Sequence, residues 1–233
     1  MNFQNAAKAI HDDLVAWRRA IHPIAETIFG TVETAKLIVR ELTAIGIPEA
    51  DIKLFCNASG VAATIYGGKP GKCLGIRVDI DALPMPEELD LPFKATNGNM
   101  HSCGHDAHAA IGLGTAKLIF ENRAELVGSV KMIFQPAEEI AAGAAAMIAE
   151  GVMEDPKVEG AISLHGTSAD TRLPVFPCGS FASTTGFPST ACSSTFRVTM
   201  FGKGAHGSAP HLSVDPVFMA VMAISQMQGI ISR

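Results

Sequence analysis

Three short apolar runs, residues 72–80 (KCLGIRVDI), 128–134 and 160–164, constrain the fold of this 233-residue chain more than any other feature. The first is nearly continuous in apolar character, as expected of a strand buried on both faces. Helical patterning separates the runs, and strands alternating with helices imply a mostly parallel or mixed sheet with helices on its faces. On such a sheet ligands gather beyond the carboxyl ends of the strands. Asp79 and Asp81 end the first run, Glu138 and Glu139 follow the second, and His165 closes the third. That convergence predicts a site.

The remaining elements follow from periodicity and punctuation. Ala6, Ile10, Leu14, Trp17 and Ile21 keep a helical period, as do residues 34–45 before Gly46 and Pro48, so two opening helices are expected. Residues 51–56 and 61–66 read as strands. Asp106 is placed to cap a helix reaching Phe120, and residues 141–150 read as a helix ended by Gly151. Trp17, Arg18 and Arg19 read as core packing and a solvated face. From Ser183 the chain turns to small residues, then alternates over 195–201 before a Gly-rich turn and a helix from Asp215. The expected domains are therefore 1–182 and 183–233, the second only the beginning of a domain, because so few elements cannot close a core.

The loop between the first two core strands, MHSCGHDAH at residues 100–108, crowds three histidines, a cysteine and an aspartate into nine residues. Cys103 and His105 flank one glycine, so both side chains can point the same way. A thiolate beside an imidazole suits zinc, cobalt, manganese or nickel better than magnesium or calcium. The alternative is a helix-entry loop with a buried cysteine and solvated histidines. In FQPAEE (134–139) adjacent carboxylates diverge, so one can bind metal while the other takes a proton from water. Equally, both acids can favour the N-terminus of the next helix electrostatically. His165 is either a ligand or a histidine satisfied by backbone. Cys103, His105, Glu139 and His165 together supply donors from three loops, the way catalytic metal sites are assembled. Asp79 or Asp81 can orient a ligand histidine or simply turn the chain. His206, in GKGAHGSAPH, sits in a glycine-rich loop suited to an oxyanion or a carboxylate, or to a plain hairpin.

Composition bounds the partners. A net charge of −5 without a basic run argues against nucleic acid, and small molecules are the expected ligands. Five cysteines at irregular spacing make no disulfide framework, which points to a reducing, cytoplasmic setting. The N-terminus lacks signal-peptide character, and no segment offers 18 unbroken apolar residues, so no membrane span is expected.

WRRAIH, GIRVDIDALP, NMHSCGHDAH, FQPAEE, GAAAMIAEG, SLH, GKGAHGSAPH and QGIISR, in this order over nearly the whole chain, resemble the M20 metallopeptidase family, most closely its aminoacylase, hippurate hydrolase and auxin-conjugate hydrolase branch. The resemblance implies an α/β fold: a zinc-exopeptidase-like mixed sheet flanked by helices, with a smaller α+β satellite domain that mediates dimerisation. It implies two divalent metal ions (Zn, Mn, Co or Ni), with Cys103 bridging them, His105, Glu139 and His165 as terminal ligands, and Glu138 as general base. His206 matches a satellite-domain histidine that reaches the partner subunit's active site in a homodimer. The implied activity is hydrolysis of N-acyl amino acids, hippurate-like or related, to a carboxylic acid and an amino acid. The pattern departs in two places: Ser194 stands where the branch commonly has Asp, and the chain stops at Arg233, before a further metal-ligand histidine. The rival expectation is a truncated, inactive fragment that at most binds metal. A structural zinc domain is disfavoured, since its ligands are closely paired in sequence.

Overall fold

The computed structural model describes residues 2–166 and 196–231. The chain divides into two compact units, Met1–Val175 and Phe176–Arg233. The boundary expected at 182/183, together with Cys178, Cys192 and Ser194, lies outside the described residues.

In the first unit the opening periodic stretch forms two helices, α1 (Phe3–Ala9) and α2 (His11–Ile21), where one was expected. Ile10 leaves helical geometry between them, and Asp12 and Asp13 favour a fresh N-terminus, where acidic groups meet the positive end of the helix dipole. α3 (Val32–Ile45) ends as its sequence demands: Gly46 takes a left-handed φ of 104°, its amide reaches Thr43 O, and Ile47 N donates to Leu42 O.

Five strands follow: β1 (Ile52–Phe55), β2 (Gly60–Tyr66), β3 (Lys69–Asp79), β4 (Val127–Gln135) and β5 (Val158–Ser163), with α4 (His105–Glu121) between β3 and β4 and α5 (Gly143–Ala149) between β4 and β5. They form one mixed sheet in the order β1-β2-β4-β3-β5. β3 runs parallel to both β4 and β5, while β2 pairs antiparallel with β1 and β4. The period-two alternation sorts side chains between two faces. Val61, Ala63, Ile65, Val130, Met132 and Phe134 join α2, α3 and α4 in the larger core. Ala62 and Ile133 pack on the opposite side with Met147 of α5. Burying side chains such as Phe134, Ile38 and Leu113 completely stabilises the unit by roughly 1.5–3 kcal/mol each. β5 lies at one edge of the sheet among the described residues, with five of its six residues exposed.

Because β3, β4 and β5 are parallel, their carboxyl ends share one edge. Asp79 is level with Gln135, and Arg77 with Ser163. The segment after β4 turns sharply: Ala137 and Ala141 adopt left-handed φ angles of 52° and 53° on either side of Glu138 and Glu139. Such conformations cost a non-glycine residue roughly 1–2 kcal/mol and persist only where the surroundings impose them. Here Ala137 N donates to Ile28 O, and Ala142 N and Gly143 N both reach Ala137 O. Gly143 closes the turn, and a Cβ there would lie 1.6 Å from Pro136 O. Gly143→Ala must therefore displace the acidic segment, and we expect about 1–3 kcal/mol of destabilisation in urea unfolding together with weaker metal retention. An unchanged midpoint would show that the turn yields freely.

In the second unit, α6 (Pro216–Ile231) starts where Asp215 Oδ1 accepts from Val217 N and Phe218 N. The alternating stretch expected as a strand over 195–201 is not one among the described residues. Among the described residues of this unit the backbone pairs at the isolated Lys203–Val214 bridge, and alternation needs a partner strand to satisfy its amides. Among the described residues no helix is long and apolar enough to cross a membrane.

Candidate metal centre

The shared edge gathers the chemically active side chains of the first unit. His105 opens α4 directly after Gly104, whose φ of 82° turns the loop into the helix. Its Nδ1 donates to the main-chain oxygen of Asp81 at 2.8 Å, which leaves Nε2 as the bare nitrogen. That Nε2 is buried without a hydrogen-bond partner, 3.7 Å from Asp79 Oδ1 and 3.8 Å from both Glu138 Oε2 and Glu139 Oε1. Glu139 Oε1 is likewise buried and unpartnered. Cys103 Sγ lies 3.4 Å from His165 Nε2. Cys103, His105 and Glu139 present donor atoms within 4.8 Å of one another, and an overlapping group joins His105 to Asp79, His108 and His165.

Asp81 organises both sides of this cluster. Its main chain fixes the His105 tautomer, while its carboxylate accepts from Glu138 N (2.9 Å) and Glu139 N (3.3 Å) and so sets the turn that aims the two acids. Of the two roles open to Asp81, orienting a histidine or turning the chain, it fills both, the first through its carbonyl oxygen and the second through its carboxylate. The alternative role of Glu138 and Glu139 at a helix N-terminus does not hold, because α5 begins only at Gly143.

The electrostatics are those of a site short of positive charge. Burial, reinforced by Glu139, Glu138 and Asp79, pushes the Cys103 thiol up to about 12. Burial likewise raises Glu139, against the pull of His105. Burial opposes charge on His105, yet Asp81, Asp79 and Glu139 outweigh it and lift its pKa above the ordinary imidazole range. A divalent cation among a thiolate, an imidazole and carboxylates relieves these conflicts together, so the residues fit one.

Behind the cluster lies a network that sequence reasoning missed. Asp106 does not cap α4: it sits inside the first turn, fully buried, and accepts from Arg18 Nε (2.9 Å) and His22 Nδ1 (2.8 Å). Arg18, half exposed as expected of a solvated face, thus also anchors the buried Asp106. His22 Nε2 meets both oxygens of Glu87, at 3.0 and 3.1 Å. Burial opposes charge on His22, but Asp106 and Glu87 outweigh it and raise its pKa, while theirs are lowered by their cationic partners despite burial. Nearby His101 is held neutral, its pKa pushed down to about 4 by burial. The raised imidazole contributes stability that is full below its ordinary value near 6.5 and lost as pH rises through the raised one. The lowered carboxylates contribute above their ordinary values near 4 and lose it as pH falls through the lowered ones. Thermal melting should therefore peak in mildly acidic buffer, and His22→Gln should flatten its alkaline side; an unaltered profile would exclude a charged His22.

His108 was also missed, although HDAH places it three residues after His105, on the same helix face. His206 belongs to the second unit, where it is exposed and its Nδ1 lies 2.8 Å from Ser208 Oγ.

Donors gathered beyond the ends of parallel strands, in a mixed sheet covered by helices, are the architecture of the α/β metallopeptidases. The chain belongs to peptidase family M20/M25/M40, whose profile matches residues 75–229. It is 41% identical to an N-acetylcysteine deacetylase of Bacillus subtilis over 98% of this chain and 57% of that protein. It is 34% identical to an N-acyl-L-amino acid amidohydrolase of Geobacillus stearothermophilus, over 96% of this chain and 58% of that one. Among solved structures, a dinuclear metal-binding peptidase of the M20 family from Bacillus subtilis superposes with a TM-score of 0.64 at 44% identity, covering 69% of this chain and 44% of the other. The chain thus spans little more than half the length of the curated relatives it matches.

Proposed function

We propose that the chain carries the metal-binding half of an amidohydrolase that cleaves the amide bond of N-acyl amino acids, releasing a carboxylic acid and an amino acid. The observation that carries this reading is the bare, buried Nε2 of His105 facing Glu138 and Glu139, beside the Cys103–His165 pair. The relatives named for deacetylation of N-acetylcysteine and hydrolysis of N-acyl-L-amino acids support the substrate class.

In this reading Cys103, His105, Glu139 and His165 would hold two divalent ions. Such ions, when bound, would polarise the amide carbonyl and make water easier to deprotonate. Glu138, more exposed than Glu139 and held by Asp81 through its backbone, accepts the proton from the attacking water and returns it to the leaving amine. His206 donates to the developing oxyanion, from a partner subunit if the protein dimerises through its second unit.

The test is elemental analysis of the folded chain after incubation with zinc, cobalt and manganese and desalting, followed by hydrolysis assays on N-acetyl and N-benzoyl amino acids. About two ions per chain are expected, as in the dinuclear relative. A folded chain that retains none would refute the reading.

A further inference from the structure

We propose that His108 is a positioning residue: held by Asp79 of β3, it grips the Gly166 amide and thereby fixes His165 opposite Cys103 and His105. The proposal rests on the reading of His165 as a metal ligand. His108 is itself a candidate ligand by proximity, but both its ring nitrogens are spent. Nδ1 donates to Asp79 Oδ1 at 2.5 Å, and Nε2 accepts from Gly166 N at 2.8 Å. One tautomer satisfies both contacts, with the proton on Nδ1 and the lone pair on Nε2.

Asp79 is fully buried and also takes Arg77 Nη1 at 2.8 Å, while Arg77 Nε donates to Gln135 Oε1, also at 2.8 Å. The grip on Gly166 is therefore anchored across β3 and β4. At the other end, His165 Nδ1 donates to Gly166 O at 2.7 Å, so the residue held by His108 also sets the ring whose Nε2 faces Cys103. The His108 and His165 rings stand 4.8 Å apart between centroids. Gly166 suits this approach, since a Cβ there would come within 3.3 Å of His108 Nε2. β5 is exposed at five of its six residues, so the hold on Gly166 comes from beyond the strand, through His108. A residue that aims a ligand from behind is worth roughly 10–100-fold in metal affinity.

The experiment compares wild type, His108→Gln and His108→Leu in the full chain. Glutamine places an acceptor oxygen where Nε2 stood and keeps the grip on Gly166, whereas leucine removes it. In the metal-free chain, Gly166 amide exchange by NMR should stay slow in wild type and His108→Gln and accelerate about tenfold or more in His108→Leu. Zinc affinity, measured by chelator competition, should fall about 10–100-fold in His108→Leu and remain near wild type in His108→Gln. The cobalt derivative should keep its thiolate charge-transfer band in all three, since Cys103 is untouched. A folded His108→Leu with wild-type zinc affinity or wild-type Gly166 exchange overturns the proposal. So does a His108→Gln that loses zinc as fully as leucine while Gly166 stays protected, which would make His108 a ligand. If wild type retains no metal, the functional reading fails visibly by itself, and the exchange comparison still decides whether His108 holds Gly166.

Discussion

On the proposed function, Glu138→Ala should leave metal retention intact and lower turnover of N-acyl amino acids by about 10²–10⁴-fold, the usual worth of a positioned general base. Two carboxylates lie equally far, 3.8 Å, from His105 Nε2, but they differ in setting. Glu139 carries the buried, unpartnered oxygen, which suits a ligand, and Glu138 stands nearer solvent, which suits a group that exchanges protons. The decisive comparison is between kcat and metal content. Glu138→Ala should lose only the first and Glu139→Ala both, whereas a Glu138→Ala chain that turns over normally would transfer the role of base elsewhere. Glu138→Gln, nearly identical in shape, should be as inactive as alanine, because shape without a proton acceptor does not help.

Cys103→Ala and His105→Ala should each cost more metal affinity than the roughly 10–100-fold attached to residues behind the ligands. The thiol makes a sharper prediction. Metal binding requires the thiolate, and burial together with Glu139, Glu138 and Asp79 holds the free thiol's pKa at about 12. Each metal that captures this sulfur must therefore expel a proton throughout the neutral range. Apparent affinity should rise about tenfold per pH unit from this group alone and fall correspondingly as pH drops. The slope in Cys103→Ala should be lower by one proton. Calorimetry in buffers of different ionisation enthalpy counts that proton directly, and equal counts for wild type and variant would remove Cys103 from the centre.

The sequence disclosed some levels of this structure and concealed others for physical reasons. β4 was legible because a strand buried on both faces needs a near-continuous apolar run. β3 and β5 carry apolar runs too, although β5 is largely exposed, and the residues just beyond all three were legible because parallel strands end together. The split between α1 and α2 was not, since Ile10 continues the apolar period across the break. Nor were the contacts of Asp106, whose partners Arg18 and His22 lie 88 and 84 residues away in the chain. A carboxylate at the mouth of a helix reads locally as a cap, and only tertiary contacts reveal it as an ion-pair anchor. His108 was concealed differently: its spacing from His105 was visible, but its partners Asp79 and Gly166 come from separate strand ends. The alternation over 196–201 finds no neighbouring strand among the described residues, and without one a local pattern does not become a ladder.

The strand order carries a kinetic consequence. β4 pairs with β2 and β3, each delivered from more than fifty residues earlier in the chain, and α4 lies in the connection between β3 and β4. Long-range pairings of this kind are slow to form, because loop entropy is lost before contacts compensate. Until β4 inserts, Glu139 cannot meet Cys103 and His105, so the metal-binding pocket exists only in chains that have completed the centre of the sheet. Metal then acts as a latch on the finished fold: at a hundred times its dissociation constant it adds about 2.7 kcal/mol against reopening. Without metal that increment is absent, so the centre of the sheet reopens more often.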